Sequence, residues 1–211
     1  MSSVPKLEPS SLPAVRGWMF DVDGTLLLSD RSLGGYELLP GAIETLRALE
    51  RRGTPYVLLT NGSAYAPAEQ AARMRQLGLP DAAEQMLTPS SVAAELMQRQ
   101  GVRRALVLGT AGVGQALRDI GIETVHTGEP RASEVDAVYV GWHPKCGMPD
   151  IEAAAHAIWA GARLYVASDV PFFVTKQGRT IGYSFAIVAA IRRLTRAPMI
   201  GCSPPPVSRP M

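Results

Sequence analysis

The chain has 211 residues, 46% of them hydrophobic, with 21 basic against 19 acidic side chains and a formal charge of +2. That is apolar enough to fill one large or two small cores, which excludes a mostly disordered polypeptide. The charges are scattered rather than blocked, so nucleic acid is not an expected partner, and no run approaches the ~18 apolar residues of a membrane-crossing helix.

Residues 1–16, with Ser and Pro throughout, read as a disordered tail that lacks the apolar centre of a signal peptide. The next stretch, "WMFDVDGTLLL" from Trp18 to Leu28, starts as a strand and ends in Asp21 and Asp23, followed by Gly24 and Thr25. In extended backbone, residues i and i+2 share a side, so both carboxylates address one ligand. Their mutual repulsion asks for a cation or a reacting group between them. An EF-hand loop would place its glycine sixth, whereas here it stands fourth. Purely structural aspartates, in turn or cap roles, are the competing reading.

Ala42, Ile43, Leu46 and Leu49 recur at helical spacing and predict a helix that Gly53 ends. A buried strand over 55–60, "PYVLLT", then runs into Asn61-Gly62-Ser63. The Thr60 hydroxyl and successive N–H groups suit a phosphate there, although Asn-Gly is first of all a turn dipeptide. Helices follow over about 67–77 and from Pro89 to Gly101, the second opened by Thr88 as a cap residue. Strands alternating with helices predict a parallel sheet covered by helices.

Past Gly101 the rhythm restarts, with strands over 104–109, 122–125, 136–141 and 163–168 and helices over about 111–120, 150–160 and 184–194. This is a second α/β unit. The "GTAGVG" run over 109–114 lacks both GxGxxG spacing and a Lys-Ser/Thr pair, so it reads as a helix start rather than a nucleotide loop. Cys146 and Cys202 fit neither a disulfide framework nor a CxxC motif, and free thiols in a reducing cytoplasm are expected. His126, His143 and His156 are dispersed, so zinc is not expected. Residues 197–211 carry too many prolines for a helix or an interior strand.

"DVDGTLL" at one strand end and "LLTNGS" at the next resemble the haloacid dehalogenase-like (HAD) superfamily of phosphohydrolases. The order of parts is similar to its subclass IIA, the NagD-like or p-nitrophenyl phosphatase-like group. The resemblance spans about 17–201 and implies an α/β fold: an incomplete HAD-like Rossmannoid parallel-sheet core at 17–100, an inserted C2-type α/β cap domain at 101–195, and a truncated return to the core at 196–211. It implies that Asp21 is the nucleophile, forming an aspartyl phosphate, and that Asp23 is the general acid-base. Mg²⁺ would be bound at Asp21 and Asp23, and phosphate oxygens by Thr60, Asn61 and Gly62. The substrate would be a small phosphorylated metabolite, with His143 and Asp169 on second-unit loops as candidates for selecting its leaving group.

The same resemblance implies a Gly-Lys-Pro motif and a later Gly-Asp with a metal-binding acid. Here the corresponding place reads Gly201-Cys202-Ser203-Pro204, and no acid follows. The chain is therefore expected to be truncated, through a shifted reading frame or otherwise, leaving the 18–22 strand as an apolar edge that favours marginal stability or homo-oligomers. Two functions stay open: a cytoplasmic Mg²⁺-dependent phosphohydrolase, and an inactive remnant or non-catalytic phosphate-binding protein.

Overall fold

The computed structural model describes residues 16–30, 35–80 and 85–203. The expected tail, save Arg16, and the prolines from 204 onward lie outside these residues.

In chain order the first elements are β1 (Trp18–Asp21), β2 (Leu27–Ser29), β3 (Tyr36–Leu38), α1 (Ala42–Arg51), β4 (Tyr56–Leu59), α2 (Pro67–Gln76), β5 (Met86–Leu87) and α3 (Pro89–Arg99). β1, β4 and β5 form a parallel sheet in that order, with Trp18 opposite Tyr56 and Asp21 opposite Leu59. Its core gathers Val22, Leu27, Leu46, Leu58 and Met74, the apolar stripe of α1 and α2 closing on the sheet. Gly53 ends α1 at φ 61°, the left-handed conformation that glycine adopts without a Cβ penalty. β2 and β3 form an antiparallel hairpin that the sequence pattern did not signal.

The second set comprises β6 (Arg104–Leu108), α4 (Ala111–Asp119), β7 (Glu123–Val125), β8 (Ala137–Val140), α5 (Met148–Trp159), β9 (Arg163–Val166), β10 (Phe172–Thr175), β11 (Gly178–Ile181), α6 (Tyr183–Thr195) and β12 (Met199–Gly201). Five of these strands form a parallel sheet ordered β12-β9-β8-β6-β7. One face packs Val107, Tyr139 and Tyr165 with α4, and the other packs Leu106, Val138 and Leu164 with α5 and α6. Burial on both faces is why these strands read as unbroken apolar runs.

Two assignments change. Helix α3, grouped from the sequence with residues 17–100, turns Ala93, Ala94 and Met97 into the core of the second sheet, beside Val102 and Leu117. Residues 199–201, expected to return to the first sheet, instead pair in parallel with β9, Met199 opposite Leu164. As an edge strand, β12 needs hydrogen bonds on one side only, so Pro198 directly before it is tolerated.

The two units meet closely. The Thr110 hydroxyl donates to the Ala64 carbonyl at 2.8 Å, and the Trp142 N–H donates to Ser63 Oγ at 2.9 Å. The β10–β11 hairpin reaches back to the first unit, where Lys176 N–H donates to the Ser29 carbonyl at 3.0 Å.

Candidate active site

β1 delivers Asp21 to its C-terminal end, where the chain turns at once. The Val22 carbonyl accepts from Leu26 N–H at 3.0 Å, and Gly24, at φ 88°, donates to the Leu27 carbonyl at 2.8 Å. A residue with a Cβ would be strained at that φ, which accounts for glycine after the second aspartate. The turn places Asp21 at the open lip and Asp23 deeper.

The adjacent strand β4 is followed at once by Thr60, which is fully buried. Its hydroxyl donates to Asp23 Oδ2 at 2.9 Å and accepts from Gly62 N–H at 2.8 Å. Thr60 was expected to hold phosphate together with the Gly62 N–H; here the two bond each other, and the Thr60 hydroxyl also bonds Asp23. Thr60 therefore fixes the second carboxylate. A Cβ on Gly62 would stand 3.0 Å from the Thr60 hydroxyl, so this close approach favours glycine.

Asp21, Asp23, Asn61, Gly62 and Ser63 form the floor of a cleft between the two units. Its opposite wall comes from the second unit: Trp142, Phe173 and Tyr183, with Ser168 and Val170 beside them. Trp142 meets Tyr183 edge-on at 4.5 Å and Phe173 at 6.1 Å between ring centroids. The sequence pattern did not mark Trp142, Phe173 or Tyr183 as a wall. Aromatic residues at strand ends and helix starts read as core. His143 and Asp169, the expected selectivity residues, do not line the cleft. His143 turns to Asp150, and Asp169 is exposed on a loop whose neighbours Ser168 and Val170 face inward. That loop is tied to the start of α6, since Ser184 Oγ donates to the Ser168 carbonyl at 2.8 Å and Gly182 N–H to the Pro171 carbonyl at 2.9 Å.

Among the described residues, the two aspartates are the only charged groups lining the cleft. Both stand above the ordinary carboxylate range. Asp21 is raised by desolvation and then by the Asp23 charge, against the Val22 N–H and the Thr25 hydroxyl. Asp23 is raised by desolvation, which the Thr60 hydroxyl only partly offsets. Raised carboxylates make the native state take up protons more readily than the unfolded chain, so their charge costs stability near neutral pH. That cost is relieved as pH falls through the raised values. Without divalent metal, Asp23→Asn is thus expected to melt above the parent near neutral pH. The gap should close on acidification. Thermal melts across that window check this, and a gap that widens in acid would contradict it. Two carboxylate oxygens held near one another with unfavourable charge also fit a hard cation such as Mg²⁺.

A family model described as haloacid dehalogenase-like hydrolase matches residues 18–123. The chain is 31% identical over 180 residues to D-glycerol 3-phosphate phosphatase of Mycobacterium tuberculosis, covering 84% of this chain and 47% of that protein. It is 27% identical over 182 residues to the sugar-phosphatase AraL of Bacillus subtilis, covering 86% and 63%. A crystal structure of a glycerol phosphate phosphatase from Mycobacterium tuberculosis in complex with magnesium superposes with a TM-score of 0.74 at 28% identity, covering 88% of this chain and 54% of that one. The chain spans about half the length of the curated relatives it matches.

Proposed function

The chain belongs to the haloacid dehalogenase-like hydrolases, and from that premise we propose that its cleft carries out hydrolysis of a small phosphate monoester. The carrying observation is the pair of carboxylates at the end of β1, facing an aromatic wall supplied by the second unit. Asp21, at the open lip, attacks phosphorus and releases the leaving oxygen, so that one difficult hydrolysis becomes two easier steps. Asp23, held by Thr60, gives its proton to the leaving oxygen and then takes one from the attacking water. Asn61 and Ser63, on the floor, are placed to orient the phosphate oxygens. Asp21 and Asp23 would hold Mg²⁺, which when bound offsets the negative charge that the phosphate brings to two carboxylates. The magnesium complex of the 28% identical phosphatase and the phosphatase names of the relatives support this reading.

The substrate class follows from the lining. With no basic side chain among the described lining residues, a second phosphate or a carboxylate on the substrate finds no counter-ion. Trp142, Phe173 and Tyr183 instead offer apolar faces, so an uncharged leaving group such as a polyol, sugar or aryl alcohol fits. The same absence favours a second reading, in which this chain binds phosphate esters without turning them over. Release of p-nitrophenol from p-nitrophenyl phosphate, with Mg²⁺ and then with chelator, separates the two. Magnesium-dependent turnover supports hydrolysis, and magnesium-dependent protection from heat without turnover supports binding alone.

A cytoplasmic setting is supported by unpaired Cys146 and Cys202, and among the described residues no helix is long and apolar enough to cross a membrane. Among the described residues, no strand pairs with the outer edge of β1, where Trp18 is 41% and Met19 62% exposed. An apolar strand edge with free backbone groups favours pairing with a second copy. Light scattering of the 211-residue chain should therefore show association that grows with concentration, reduced by Met19→Lys. A monomer at every concentration would contradict it.

A further inference from the structure

The loop leaving β8 and the first turn of α5 bring His143, Cys146 and Asp150 together. One ligand atom from each lies within 4.8 Å of the other two, and His143 Nε2 is 3.4 Å from Asp150 Oδ2. The backbone folds the loop for this: Cys146 N–H donates to the His143 carbonyl at 3.1 Å, and Gly147 N–H donates to Asp150 Oδ2 at 2.8 Å. All three side chains are half-buried, none lines the cleft, and none takes part in the phosphate chemistry described above.

We propose that His143, Cys146 and Asp150 bind a zinc ion. An imidazole nitrogen, a thiolate sulfur and one carboxylate oxygen are a mixed set that suits Zn²⁺ and does not suit Mg²⁺ or Ca²⁺, which take oxygen alone. Bonds of about 2.0–2.3 Å to a tetrahedral ion hold neighbouring ligands roughly 3.3–3.8 Å apart. The His143–Asp150 pair already stands at that spacing, and the Cys146 sulfur lies within 4.8 Å of both. The Thr127 hydroxyl also bonds the Asp150 carboxylate and helps to hold it in place. Burial and the Asp150 carboxylate push the Cys146 thiol up to about 11, and the incoming cation displaces that proton to solvent. With three protein ligands, the fourth position is left to water. His143 follows Trp142 directly, so the ion would also brace the loop that carries the aromatic wall of the cleft. This inference does not depend on the phosphatase reading.

Cobalt(II) is the spectroscopic probe, since it takes zinc's place and a cobalt–thiolate bond gives a near-ultraviolet charge-transfer band. The metal-free 211-residue chain titrated with Co²⁺ should develop that band at one equivalent, and Zn²⁺ should displace it. The band should vanish in Cys146→Ser and in His143→Ala, and persist in Cys202→Ser and in Asp21→Asn. Circular dichroism checks that each variant is folded, and two variants on opposite sides of the site guard against the failure of one. No thiolate band in the parent chain, or a band that survives Cys146→Ser, overturns the proposal.

Discussion

Asp21→Asn is expected to abolish magnesium-dependent phosphate release while raising the melting temperature. Asparagine keeps the shape of the side chain and an oxygen able to accept from the Val22 N–H and the Thr25 hydroxyl that face Asp21. It removes the charge that Asp23 opposes in a partly desolvated cleft. Relief of that repulsion, screened by solvent at this exposed lip, should show as a small upward shift of the thermal melt. The same change deletes the nucleophile, so kcat/KM on p-nitrophenyl phosphate should fall by roughly 10⁴-fold or more. Stability gained where activity is lost marks a site whose charges are held for chemistry rather than for the fold. A lower melting temperature would show instead that the Asp21 carboxylate is structural, and turnover that survives would remove it from the mechanism.

Asp23→Asn provides the contrast. If Asp23 protonates the leaving oxygen, its loss should slow an alkyl phosphate more than p-nitrophenyl phosphate, whose phenolate departs without a proton. Equal losses on both substrates would point to metal or phosphate binding as its main role.

The floor of the candidate site is legible in the sequence. Asp21, Asp23 and the turn after Thr60 stand at the ends of apolar runs, and in a parallel α/β sheet strand ends are where loops converge on ligands. The role of Thr60 was not legible, because a hydroxyl at a strand end suits a ligand and a neighbouring carboxylate equally well. Only the fold shows that it is buried against Asp23. The aromatic wall was hidden for a related reason: Trp142 and Tyr183 are 41 positions apart and meet only because β8 ends and α6 begins at the same side of the second sheet. The β2–β3 and β10–β11 hairpins have strands of three and four residues, too short for alternation to register. Helix α3 shows the limit of chain order as a guide to packing. It follows β5 of the first sheet, yet its alanines and Met97 fit the second.

The glycine run at 109–114 has a use that the nucleotide-loop comparison did not anticipate. A Cβ on Gly112 would lie 2.5 Å from the Ala64 carbonyl oxygen, 2.8 Å from Tyr65 Cα and 3.0 Å from Ala66 N, all of them backbone. Gly112 sits in the first turn of α4, where an alanine would ordinarily favour the helix by up to about 1 kcal/mol. Here the sign should reverse. Backbone cannot swing aside as a side chain can, so Gly112→Ala must push α4 and the 64–66 turn apart. The movement pulls on the adjoining contacts between the units, the Thr110 hydroxyl to Ala64 and the Trp142 N–H to Ser63. A loss of about 2–4 kcal/mol in urea unfolding is expected, on the scale of overpacking with broken buried hydrogen bonds. Because Ser63 and Trp142 line opposite sides of the cleft, the variant should also raise KM for p-nitrophenyl phosphate if it turns over at all. Gly121→Ala, at a left-handed position with open space around the Cβ, separates backbone strain from steric clash: it should cost stability without touching KM. A stabilised Gly112→Ala would mean that the two units are not seated on each other as closely as their contacts require.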